Sequence, residues 1–175
     1  QYLALARAWL VLGDIEGAHP LMAERGEQMA TQFRTYLVLD EENDAWRWHY
    51  WDWIEYGVPG NSGWEDRSHA HIDVSFAIEA ARRGVVFTDE DLQRLANPWL
   101  EVMWNGDEEK PLFAERVAEN EDFRGSPVTR DWCLLSQWDR RAYELALTAY
   151  TDAGQKPASA PVMLLCAKRA GALEE

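Results

Sequence analysis

Glycines close three apolar helical patterns at nearly equal intervals, at Gly13, Gly84 and Gly154, and this recurrence constrains the fold more than any other feature. A helix that ends at glycine and is followed within a few residues by another helical pattern is one arm of a hairpin. The first pattern runs from the N-terminus to Leu12. The second spans about Asp14 to Phe33, although Gly17, Pro20 and Gly26 interrupt it. A third starts near Ser68, carries Ile72, Phe76 and Ala80 on one stripe, and closes at Arg82, Arg83 and Gly84, where cations and glycine suit a helix C-terminus. Thr88 caps a fourth, with Asp89, Glu90 and Asp91 in its first turn and Leu92, Leu95, Ala96, Trp99 and Met103 as its apolar face. Pro98 should kink it. Ser136 opens a fifth helix with Trp138, Ala142, Leu145, Ala146 and Ala149 facing inward. Ser159 caps a sixth, with Pro161 in its first turn and Gly171 at its end.

The expectation is an all-α fold of three consecutive hairpins forming a single domain over residues 1–175. Connections within hairpins are short; those between them, about 35–65 and 106–135, are long and should meet on one face. The pattern begins inside a helix with no capping residue before it, as expected of a piece of a longer chain.

Charge narrows the partners. With 31 acidic against 17 basic side chains, net charge is −14, which opposes attraction to nucleic acid or to an anionic membrane, and no apolar run spans a bilayer. Cys133 and Cys166 have no metal-ligand or redox spacing and read as buried free thiols.

The first long connection holds the chemistry. Four of the ten tryptophans fall in "WRWHYWDW", residues 46–53. Their spacing fits neither a helical stripe nor strict alternation, so aromatic surface faces several directions. They could plug the core, or Trp48 and Trp51 could offer flat faces on which sugar rings stack. A Gly/Pro turn follows, then "WEDRSHAHID", residues 64–73. Asp66 or Ser68 can cap the third helix. His69 and Asp73 are spaced i, i+4, which predicts a carboxylate one turn below the imidazole, able to fix its tautomer as a base requires. Glu65, His69, His71 and Asp73 are metal-ligand types, yet His69 and His71 point in different directions on a helix, and neither a metal nor another cofactor is expected. Nucleotide-binding and serine-hydrolase motifs do not occur in the sequence.

Paired helices with long loops on one face, followed by "WEDRSHAHIDVSFAIEAARRGVVFTDEDLQRLAN", resemble the α/α-toroid carbohydrate-active proteins, in particular polysaccharide lyases and uronate epimerases. The resemblance is best over residues 46–105 and makes this chain the C-terminal portion of a larger toroid. It implies a polysaccharide or oligosaccharide substrate containing uronic acid. His69 would take the C5 proton, Tyr56 or Tyr50 would protonate the leaving oxygen, and Asn61, Glu65 or Arg67 would neighbour the uronate carboxylate. Trp48, Trp51, Trp64, His71 and Asp73 would line the sugar site. Such a lyase would be secreted or periplasmic in a bacterium. Two other readings stand beside it: a toroid glycoside hydrolase using Glu65 with a distant carboxylate, and a non-catalytic helical module that binds a glycan or a protein through its aromatic loops.

Overall fold

The computed structural model describes residues 2–50, 63–124, 132–152 and 160–171. It is mainly helical: α1 (Tyr2–Gly13), α2 (Leu21–Tyr36), α3 (Arg67–Arg82), α4 (Asp89–Asn97), α5 (Arg141–Asp152) and α6 (Ala160–Arg169), with one small antiparallel sheet of β1 (Val38–Asp40) and β2 (Ala45–Arg47).

The first hairpin forms, but α2 starts seven residues later than its apolar pattern suggests. Gly17 sits at φ +82° and Pro20 precedes the first helical residue, so residues 14–20 make the turn. Gly26, which weakens the helix on propensity alone, has a packing reason: a Cβ there would lie 2.7 Å from Leu10 Cδ2. Its absence lets α2 close onto the stripe of Leu3, Ala6 and Leu10 on α1. Both helices pack against α3, and Arg7 Nη1 donates to Ser75 Oγ at 3.0 Å.

The second hairpin follows its sequence signals closely. Asp66 caps α3 by accepting from Ser68 N at 2.9 Å and His69 N at 3.0 Å. Gly84 leaves the helix at φ +70°, and Thr88 and Asp91 form a reciprocal capping box on α4. The kink expected at Pro98 takes the form of a π-helical turn, Pro98–Val102. It aims Trp99 into the core, where the indole stacks on Phe113 at 3.6 Å and on Trp132 at 5.3 Å.

The remaining features depart from expectation. A hairpin of strands occupies residues 38–47, its turn organised by Asp40, which accepts from Glu42 N and Asn43 Nδ2 and pairs with Arg47. Ser136 does not open a helix. It lies in a 3-10 segment, Trp132–Gln137, and its hydroxyl donates to Cys166 O at 3.1 Å, so α5 begins only at Arg141. Cys133 and Cys166 are buried but not free: they form a disulfide that joins the 3-10 segment to α6. Gly154 and Ser159 lie outside the described residues.

The two long connections do meet. Glu65 N donates to Trp48 O at 2.9 Å, Val117 N to Glu65 O at 3.0 Å, and Arg67 N to Glu115 O at 2.7 Å. Residues 46–50, 63–67 and 112–117 therefore run side by side at the N-terminal end of α3.

Candidate functional site

At that meeting point the chain assembles Glu65, Asp66 and His69, each offering a carboxylate or imidazole atom within 4.8 Å of the others. Cap geometry explains the placement. A residue at the N-cap turns its side chain back over the first helical turn, and Asp66 Oδ1 takes the two backbone N–H groups. Its second oxygen, Oδ2, is then left 2.5 Å from Nδ1 of His69, three residues on. A proton on Nδ1 is held by this contact, which leaves the lone pair on Nε2. The carboxylate that orients His69 is thus Asp66, one position before the helix, rather than Asp73, one turn inside it. Asp73 is buried and accepts from Trp48 Nε1 at 2.9 Å.

The two adjacent carboxyl groups differ in electrostatics. Burial would raise Asp66, but hydrogen bonds from Ser68 and His69 outweigh it and hold the group below its ordinary range. Glu65, only 5% exposed, is pushed up to about 7, mainly by burial and further by the Asp66 charge; the hydrogen bond from Asp66 N and the proximity of His69 pull the other way. At neutral pH Glu65 is therefore about half protonated, and the pair carries about one and a half charges rather than two.

Aromatic rings frame the imidazole, whose side chain is 39% exposed. Tyr50 meets His69 edge to face at 5.3 Å between centroids, and His49 stacks on Trp64 at 4.1 Å. Arg116, from the second long connection, donates from Nη1 to Trp64 O at 2.6 Å. Gly63 makes room for it, because a Cβ there would stand 2.8 Å from that nitrogen.

Not every anticipated residue reaches the site. Trp48 is 2% exposed and packs against Phe33, so it has no face open to a sugar; it is a core residue that supports the site from beneath. Arg67 is likewise buried, donating to Phe113 O at 2.9 Å and lying 3.5 Å from Glu115, so it ties the second long connection to α3. His71 is part-buried on α3, two residues along and hence on another face from His69. Trp51, Tyr56 and Asn61 lie outside the described residues. Among the described residues, Glu65, Asp66 and His69 are the cluster that could hold a divalent cation, but an ion coordinated by Nδ1 and Oδ2 would displace the proton that joins them.

Glu65 gives a test of this electrostatic picture. Its carboxyl binds its proton more tightly folded than unfolded, so it favours folding at pH 4 and loses that contribution as pH rises through about 7. Glu65→Gln, which keeps an oxygen for Asp66 N, lacks the titration. Urea unfolding at pH 4.5 and pH 8 should show wild type losing up to about 3 kcal/mol relative to the variant, less as residual hydration screens the group. A constant difference between the two proteins would show that Glu65 titrates normally.

Compared with known proteins, the chain matches no family model, no curated protein and no solved structure.

Proposed function

We propose that the chain belongs to a polysaccharide lyase or uronate epimerase of α/α-toroid architecture, acting on a uronic-acid-containing glycan by abstraction of the C5 proton. The observation that carries this reading is the contact of 2.5 Å between His69 Nδ1 and Asp66 Oδ2 beside a half-exposed imidazole. It supports a base whose Nε2 accepts a proton while the carboxylate steadies the imidazolium that forms. In the lyase sequence the C5–H bond breaks, its proton passes to Nε2, its electrons form the C4–C5 double bond, and the C4–O bond breaks with a proton delivered to the leaving oxygen. Tyr50 beside His69 supports the acid role; Tyr56 and Asn61 keep theirs only from the resemblance. In the epimerase variant a proton returns to C5 from the opposite face.

Charge supports a uronate at this place despite the acidic chain. Glu65, about half protonated near neutrality, removes part of one of the two local charges, and Arg116, part-exposed beside Trp64 and loosely paired with Glu119 at 3.6 Å, can donate to the sugar carboxylate. A glycoside hydrolase is less well supported: Glu65 would need a second carboxyl group about 5 Å or more away across the bond, its neighbour Asp66 stands too close and is engaged by its cap and by His69, and the distant carboxylate that the reading requires is not brought to the cluster among the described residues. The disulfide fits synthesis in an oxidising compartment, consistent with secretion or the periplasm. Among the described residues no helix is long and apolar enough to cross a membrane.

The experiment is incubation of the full chain with a panel of uronate polymers, followed by ultraviolet absorbance for the unsaturated product and by sugar analysis for C5 inversion. One polymer should give one of these products; neither product across the panel removes the proposal.

A further inference from the structure

A cleft of about 200 Å³ lies apart from Glu65, Asp66 and His69, between the turn that follows the π segment and the outer face of α5. Trp104 and Leu145 form its apolar wall, and Glu108, Arg141, Glu144 and Thr148 supply its polar groups. Two features make it a built site. The turn carrying Glu108 is held by side chains: Asn105 Oδ1 accepts from Leu112 N at 3.0 Å, and Asp107 Oδ1 accepts from Glu109 N and Lys110 N at 3.0 and 2.9 Å. On the opposite rim Arg141 pairs with Glu101 and Asp139, each at 2.7 Å, and the exposed Glu144 pairs with the exposed Arg140 at 2.7 Å. Glu108 is exposed at the mouth.

From this lining we infer that the cleft is a binding subsite for one neutral pyranose of an oligosaccharide. A pyranose has an apolar C–H face and a rim of hydroxyl groups. The indole of Trp104 matches the face, while Glu108, Glu144 and Thr148 accept from the rim and Arg141 donates to it. The hydrogen-bonded turn that carries Glu108 and the paired Arg141 spare the ligand part of the cost of fixing side chains. Sugar charge is discriminated because Glu108 and Glu144 repel a uronate carboxylate, and the guanidinium of Arg141 is already offset by two acids. The site therefore takes a neutral sugar unit, and it stands independently of the chemistry proposed at His69.

The test uses the full chain, neutral gluco- and manno-oligosaccharides, an oligouronate of equal length, and tetramethylammonium as a cationic probe, with binding followed by calorimetric titration in every variant and by the indole N–H resonance wherever Trp104 is present. A neutral oligosaccharide should shift that resonance saturably at millimolar concentration. Glu108→Gln, an exposed change that leaves folding intact, should weaken binding about tenfold, and Trp104→Ala should abolish it. His69→Ala should leave it unchanged. The inference is overturned if no neutral saccharide saturates, if the oligouronate or the ammonium ion binds as well or better, or if both cleft variants bind like wild type. Loss of the lyase reading with Trp104-dependent binding retained would remove only the proposal for the His69 site.

Discussion

Trimming Trp132 to alanine should cost the fold about 3–5 kcal/mol, the range for deleting a large aromatic from a close-packed core. The indole is fully buried, stacks on Trp99 and lies 6.5 Å from Trp48 between centroids. Its Nε1 donates to Arg67 O at 3.3 Å, so truncation also strips a donor from the first residue of α3. A domain of this size has a stability margin of about 5–15 kcal/mol, and the loss is therefore a large part of the total. Urea unfolding of the two proteins measures it. A cost under about 1 kcal/mol would mean that Trp132 is not packed in this stack. Because the cavity lies beneath the start of α3, the folded fraction of the variant should also hold His69 less firmly.

His69→Ala should reduce turnover of a uronate substrate by a factor of about 10² to 10⁴, the usual loss with a general base, at little cost in stability because the side chain is part-exposed. Asp66 separates chemistry from scaffolding. Asparagine is as good an N-cap as aspartate, so Asp66→Asn keeps the hydrogen bonds to Ser68 N and His69 N but has no charge to steady an imidazolium. It should retain helicity and thermal stability within about 1 kcal/mol and still lose turnover at least about tenfold. Asp66→Ala should lose both. If Asp66→Asn turns over like wild type, Asp66 is a cap and nothing more.

Helix ends were legible where local chemistry decides them. Gly84 at positive φ and the Thr88–Asp91 box act within a few residues, and both stand where the sequence places them. Strands of three residues are too short to show alternation, and β1 and β2 hide against an aromatic run whose burial depends on partners far along the chain, such as Asn97 donating to Asp44 O at 2.7 Å. The disulfide is equally invisible, since a spacing of 33 residues belongs to no motif. Ser136 had the residue type of a cap but was claimed by Cys166 O.

The candidate site was half legible for the same reason. His69 at the start of α3 followed from pattern, whereas its partner did not. Spacing i, i+4 favoured Asp73, but the Trp48 indole arriving from the first long connection takes that carboxylate into the core. Asp66 was readable as a cap; that capping would leave its other oxygen at Nδ1 is a consequence of backbone geometry, and the i, i+3 spacing from Asp66 to His69 was the available signal. Trp48 and Trp64 are of one residue type in one stretch, and only tertiary packing separates the buried indole from the one at the site.

We propose that His69, held by Asp66, removes the C5 proton of a uronate. An oligouronate carrying tritium at C5 tests this for elimination and epimerisation alike, since both break that bond. The full chain should release tritium into water, with the rate falling at least about a hundredfold in His69→Ala while the variant remains folded. No release from any oligouronate, or release undiminished in His69→Ala, would show that His69 is not the base.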